Sequence, residues 1–160
     1  MIGIVLRVNH RTNESKFNKC ERVWKTMKVY CDTNVFINYF GKNHNTKLQK
    51  DLAYEFFSRG WNCHFELIIS DWLLKELRNH LDEKEIQEIL EEYRSKNKLY
   101  EVHVKKGDWD KAHEISNHPD DALHAILANR ADANYLTTQN IKHFNEKCND
   151  LVEVCLPEFI

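Results

Sequence analysis

The sequence predicts an α/β fold built on a mainly parallel sheet. Short apolar runs with strand character recur along the chain, and stretches with helical spacing separate them. Cap residues mark several of the junctions, as at Ser70 and Pro119. Length and composition agree. The chain has 160 residues, 42% hydrophobic and 30% charged, with only 4 Gly and 2 Pro, which fits one helix-rich domain with a proper core.

Residues 28–32 (Lys-Val-Tyr-Cys-Asp) read as a short buried strand, and 35–40 opens a helix. Residues 47–59 have helical spacing, with Leu48, Leu52, Phe56 and Phe57 toward one face and Gly60 as terminator. Residues 64–70, rich in Phe, Leu and Ile, form a second strand. Ser70 then N-caps a helix over 71–81 with an apolar stripe of Trp72, Leu73, Leu77 and Leu81. Residues 83–95 give another helix through Ile86, Ile89, Leu90 and Tyr93. Residues 100–104 alternate as a strand does, with Tyr100, Val102 and Val104 on one side. A short helix covers 109–115. His118-Pro119 begins a helix that runs to Arg130, Pro being at home in a first turn. Residues 134–138 and 151–156 supply two last strands.

Several classes are disfavoured. The apolar runs fall short of a membrane span, and the opening Ile-Gly-Ile-Val-Leu is too short for a secretory signal, so a cytoplasmic protein without membrane attachment is expected. Five cysteines at irregular spacing, with no Cys-x-x-Cys, indicate free thiols. The nine histidines contain no His-x-x-x-His pair, which argues against zinc. Residues 9–26 lack either period, so 1–26 is expected to be a poorly ordered N-terminal extension and 27–160 the folded domain. The extension carries 6 basic and 2 acidic residues, a balance of +4, and the remainder 17 basic and 23 acidic, a balance of −6. The domain therefore has no basic excess for tight, non-specific nucleic-acid binding. Lys42, Lys105, Lys106 and Lys142 lie in predicted loops or near strand ends, and Trp72 and Trp109 could stack on bases, although Trp72 on a helix stripe also reads as core.

Three acids stand at the edges of apolar segments: Asp32, Glu76 and Asp121. Buried carboxylates are costly unless something positive offsets them. Oxygen ligands alone point to Mg²⁺ or Mn²⁺. Each acid also has a plainer reading. Asp32 can be a helix N-cap, Glu76 a surface residue on an amphipathic helix, and Asp121 a first-turn acid favoured by the helix dipole. Asp120 and Asp121 diverge by about 100° on a helix, so at most one of them faces inward, and Asp121 is the better placed. Asp120 is then a second ligand or solvent-exposed.

Taken in order, Asp32-Thr33-Asn34, Glu76, Asp121-Ala122-Leu123-His124-Ala125 and Leu136-Thr137-Thr138-Gln139-Asn140 resemble the motifs of PIN-domain proteins, most of all the VapC-type toxin ribonucleases of toxin–antitoxin systems. The resemblance spans about residues 27–156. It implies a three-layer α/β/α sandwich with a mainly parallel central sheet, and an endoribonuclease that uses Mg²⁺ or Mn²⁺ on an RNA substrate. It further implies an antitoxin protein as partner and a homodimer. Carried over by motif, Asp32, Glu76 and Asp121 match the core metal-binding acids. Thr33 and Thr138 match hydroxyls that orient the site, and Asn34 a residue that supports the first Asp. Asn140 stands where the family often has a fourth acid, a loss of charge that Asp120 could make good. The alternative is a non-catalytic PIN-like module that binds RNA or protein with a degenerate site. A haloacid-dehalogenase-type phosphatase needs a second Asp two residues after the first, and Asn34 occupies that position.

Overall fold

Five short strands lie side by side and all parallel: β1 (Lys28–Cys31), β2 (Glu66–Ser70), β3 (Leu99–Val102), β4 (Tyr135–Thr137) and β5 (Glu153–Cys155), in the order β3-β2-β1-β4-β5. The computed structural model describes residues 26–42 and 46–160. Successive side chains of a strand point to opposite faces, and the sheet divides its core accordingly. Val29, Cys31, Leu67 and Ile69 pack on one face, Tyr30, Ile68 and Leu136 on the other.

The first face is covered by α1 (Thr33–Tyr39), α2 (Lys47–Trp61), α3 (Asp71–Leu77) and α4 (Glu83–Ser95). The second is covered by α5 (Asp108–Ile115), α6 (Pro119–Arg130) and α7 (Glu146–Asn149). The result is the three-layer α/β/α sandwich. Local chemistry explains the starts. Ser70 caps α3 by accepting from the Leu73 N–H, Asp82 and Glu85 form a capping box for α4, and Pro119 occupies the first turn of α6. Among the described residues no helix is long and apolar enough to cross a membrane. Cys31, Cys63, Cys148 and Cys155 are free thiols. The extension expected over 1–26 lies outside the described residues, apart from Thr26.

The structure differs from the sequence reading in places. The helix after Ser70 stops at Leu77, because the chain must turn before Asp82 can cap α4; Leu81 is still buried in that turn. Leu48 and Tyr100 are exposed. The buried side of α2 is instead Ala53, Phe56, Phe57 and Gly60. The short helix α7 has too few residues to show a period.

Gly60 is inside α2, one residue before its end, and does not terminate it. It is there for space: a Cβ would stand 1.9 Å from the Tyr93 hydroxyl, and Tyr93 is itself fully buried. Gly60→Ala should therefore destabilise the fold by roughly 1–3 kcal/mol through overpacking, despite alanine's better helix propensity. A urea midpoint lower than wild type, with the slope unchanged, is the expected readout.

The sheet order reverses at β1, which has β2 on one side and β4 on the other. Ligands of open parallel sheets bind beyond the carboxyl ends of strands at such a switch point. Asp32 follows β1 there, held by its N–H to the Thr137 carbonyl at 2.9 Å, and Thr138 follows β4.

Candidate active site

Asp32 is both cap and core of this edge. Only 5% exposed, it accepts the Thr33 N–H at Oδ1 (2.6 Å), and at Oδ2 the Asn34 amide (2.5 Å) and the Thr138 hydroxyl (2.7 Å). The helix-cap reading from sequence and the site reading are thus compatible. Thr138, fully buried, also accepts from Asn34 Nδ2 and from the Asn140 N–H, both at 3.0 Å. Asn34 in turn accepts the Gln139 N–H at 3.0 Å. These bonds staple the loop after β4 to the start of α1 and fix the Asp32 carboxylate in one orientation.

Glu76 reaches the same place from α3. Its Oε2 accepts from the Thr33 hydroxyl (2.8 Å) and from His124 Nε2 (2.7 Å). Thr33 therefore links the first two acids, binding Asp32 through its backbone and Glu76 through its side chain. His124 Nε2 also lies 3.8 Å from Asp32 Oδ1. A carboxylate only accepts, so Nε2 carries the proton. Nδ1 faces the Tyr30 hydroxyl at 2.9 Å, and Tyr30 meets the Ser70 hydroxyl at 2.6 Å. The chain is satisfied in either form of the ring: with neutral His124, Ser70 donates to Tyr30, Tyr30 to Nδ1 and Nε2 to Glu76, and with the charged ring Nδ1 donates to Tyr30 and Tyr30 to Ser70.

Burial by itself would raise the Glu76 pKa, but the bond from His124, the charge on that ring and the Thr33 hydroxyl together hold it below the usual carboxylate range. Burial would lower the His124 pKa, yet its bond to Glu76 and the charge of Asp32 raise it overall. Burial pushes the Tyr30 hydroxyl well up, so it stays protonated.

Asp121 projects from the first turn of α6, half-buried, with Oδ2 3.4 Å from His143 Nδ1. His143 stacks on His118, their ring centroids 5.3 Å apart. Burial, and next the charge of Asp32, raise the Asp121 pKa. Asp120 and Asn140 are exposed. Lys42 is engaged with Glu85 at 2.6 Å, while Lys105, Lys106 and Lys142 are exposed.

Among the described residues, no three His, Cys, Asp or Glu side chains stand close enough to hold a metal ion as they are, and Glu76 is turned to His124 and Thr33. The donor chemistry nevertheless fits a hard divalent cation. Asp32, Glu76 and Asp121 offer carboxylate oxygens alone, and burial and then the negative charge of Asp32 raise the Asp121 pKa, a cost that positive charge would offset.

Sequence reasoning missed the polar chain beneath the acids. Its signal was faint: Tyr30 alternates in β1 to the face opposite Val29 and Cys31, and His124 follows Asp121 by nearly one helical turn. Ser70 was read only as a cap, and it is both. Tyr30→Phe would strand Ser70 and His124 Nδ1 in the core, and a loss of about 1–3 kcal/mol in denaturant stability is expected. Equal stability of the variant would mean that the chain contributes nothing to the fold.

No curated protein matches the chain. Among solved structures the fold is similar to a chain of VapBC2 from Rickettsia felis, crystallised bound to a DNA fragment from their promoter, at 21% identity and a TM-score of 0.51, covering 81% of this chain and 98% of that one. The family profile described as PIN domain matches residues 29–148, the span from β1 to α7 that contains all three acids. The chain belongs to the PIN domain family, whose members are generally nucleases that use divalent metals.

Proposed function

We propose that this protein is a Mg²⁺- or Mn²⁺-dependent endoribonuclease that hydrolyses RNA phosphodiester bonds and acts as the toxin of a toxin–antitoxin pair. The observation that carries the reading is the joining of Asp32 and Glu76 through Thr33, with His124 bonded to Glu76 and 3.8 Å from Asp32, at the switch point of a PIN-family sheet. Asp32, Glu76 and Asp121 would hold the cation. What an ion held by these acids would supply is a more acidic water and positive charge against the charge that builds on the phosphate.

The chain's own residues supply placement. Thr33, Asn34 and Thr138 hold Asp32, and Thr33 and His124 hold Glu76 in its ionised form. Water attacking phosphorus and expelling the 3′ oxygen leaves a 5′-phosphate and a 3′-hydroxyl, without use of the RNA 2′-OH. The toxin reading is supported by the likeness to VapBC2, and it carries with it an antitoxin partner, a homodimer and a cytoplasmic location.

One observation favours the non-catalytic alternative: Asn140, exposed and neutral, stands where the family often has an acid. The test is cleavage of a labelled RNA pool by wild type and by Asp121→Asn, with Mg²⁺, Mn²⁺ or EDTA. Cutting that needs metal and is lost in the variant supports the nuclease. No cutting by a folded wild type favours the binding module.

A further inference from the structure

On α3, the helix that carries Glu76, an open cleft of about 570 Å³ is lined by Asp71, Trp72, Lys75, Val104 and Trp109. Both indoles, Trp72 on α3 and Trp109 on α5, are half-buried and packed against the core of the second face, and they meet edge-on with ring centroids 4.8 Å apart at 89°. Lys75 Nζ stands over the Trp72 ring, 4.8 Å from its centroid. Among the described residues, the Trp72 indole N–H is buried with no acceptor. Asp71 does not close the cleft to anions by an idle charge. Its Oδ1 accepts the backbone N–H of Trp72 at 2.9 Å and that of Val104 at 3.0 Å, and Oδ2 lies 3.6 Å from His103 Nδ1. The effect is to tie the segment after β3 to the start of α3, which holds Trp109 against Trp72.

We propose that this cleft is a nucleobase subsite of the nuclease, taking one base of a single-stranded RNA beside the phosphate to be cut. The inference rests on the ribonuclease reading above. Trp72 and Glu76 are four residues apart on α3, so they share a face and are separated by about 6 Å along its axis. Lys75 lies between them in sequence. A flat ring bearing an anion matches these parts: indole faces stack on any base, and the ammonium can leave the Trp72 ring for the adjoining phosphate. An aliphatic peptide side chain would use the walls and leave Lys75 without a role. Because nothing in the lining reads the base edge in a fixed pattern, stacking here gives tolerance of sequence. It gives the acidic domain a hold on RNA that does not depend on a basic face.

The test uses the full chain in EDTA, so that nothing is cut, and fluorescence anisotropy of a labelled RNA hexamer against a hexamer of the same phosphates lacking bases. Wild type should bind the base-carrying strand roughly tenfold tighter. Trp109→Ala should erase that difference, Trp109→Phe should retain most of it, and Lys75→Gln should weaken both strands, with circular dichroism confirming that each variant is folded. Equal binding of the two strands by wild type, or undiminished preference in folded Trp109→Ala, overturns the subsite. The latter result is also the one expected if the cleft seats a protein partner. Metal-dependent cleavage by the same wild-type preparation separates the two readings. Cutting without base-dependent binding removes the subsite and leaves the nuclease standing.

Discussion

In Asp32→Asn, RNA cleavage is expected to fall by roughly 10²- to 10³-fold, the scale of several kcal/mol of lost electrostatic stabilisation. The fold should survive with a smaller loss. Both Asp32 oxygens accept hydrogen bonds, from Thr33 N–H on one side and from Asn34 and Thr138 on the other. Asparagine can still accept from Thr33, but its amide then meets the Asn34 amide donor to donor. Asn34 cannot flip freely, since its Oδ1 already takes the Gln139 N–H. A stability cost of about 1 kcal/mol follows. Single-turnover cleavage and urea denaturation on the same protein separate the two effects. Full metal-dependent activity in a folded Asp32→Asn would remove Asp32 from the site.

Asp121→Asn should act with opposite signs on stability and activity. Burial, then the charge of Asp32, hold the Asp121 pKa above its ordinary value. Between the unfolded and folded pKa values the folded chain binds more protons, so stability falls as pH rises through that window. The penalty is absent below the unfolded pKa, at about 3.9, and complete above the folded one. Wild type at neutral pH without metal carries it in full, and asparagine does not. The variant should therefore melt higher than wild type in EDTA at pH 7, by about 2–4 °C for each kcal/mol relieved, and the difference should shrink toward pH 4. The contact with His143 that it gives up is half-exposed and counts for little. Added Mn²⁺ should reverse the ranking. At a hundred times its Kd an ion bound only to the folded state adds about 2.7 kcal/mol, a gain open to wild type and mostly closed to the variant. A variant that melts lower in EDTA and keeps the whole Mn²⁺-dependent rise would contradict this electrostatic account.

The frame of the fold was legible because its signals are local. Ser70, Asp82 and Pro119 announce helix starts by cap chemistry, and the β1, β2 and β4 runs are too apolar for a surface. Gly60 was misread because a glycine near a helix end resembles a stop, whereas its reason is Tyr93, 33 residues away in α4. Leu48 misled because spacing alone cannot say which of two adjacent helical faces meets the sheet. Asp32, Glu76 and Asp121 stood out through sequence context and their order along the chain. The chain of Ser70, Tyr30 and His124 did not, because Tyr30 lies 40 residues from Ser70 and 94 from His124, and each has an ordinary role by itself. Only the parallel pairing of β1 with β2, and the packing of α6 on the Tyr30 face, bring them together.

The central claim is that Asp32, Glu76 and Asp121 hold a divalent cation. Its most direct test is Mn²⁺ binding followed by electron paramagnetic resonance of the free ion, at pH 7, with wild type and with Asp32→Asn. Saturable uptake by wild type, lost in a folded Asp32→Asn and competed by Mg²⁺, is the predicted result. A folded wild type that takes up no Mn²⁺ into the millimolar range, or an Asp32→Asn variant that binds as well as wild type, would contradict it.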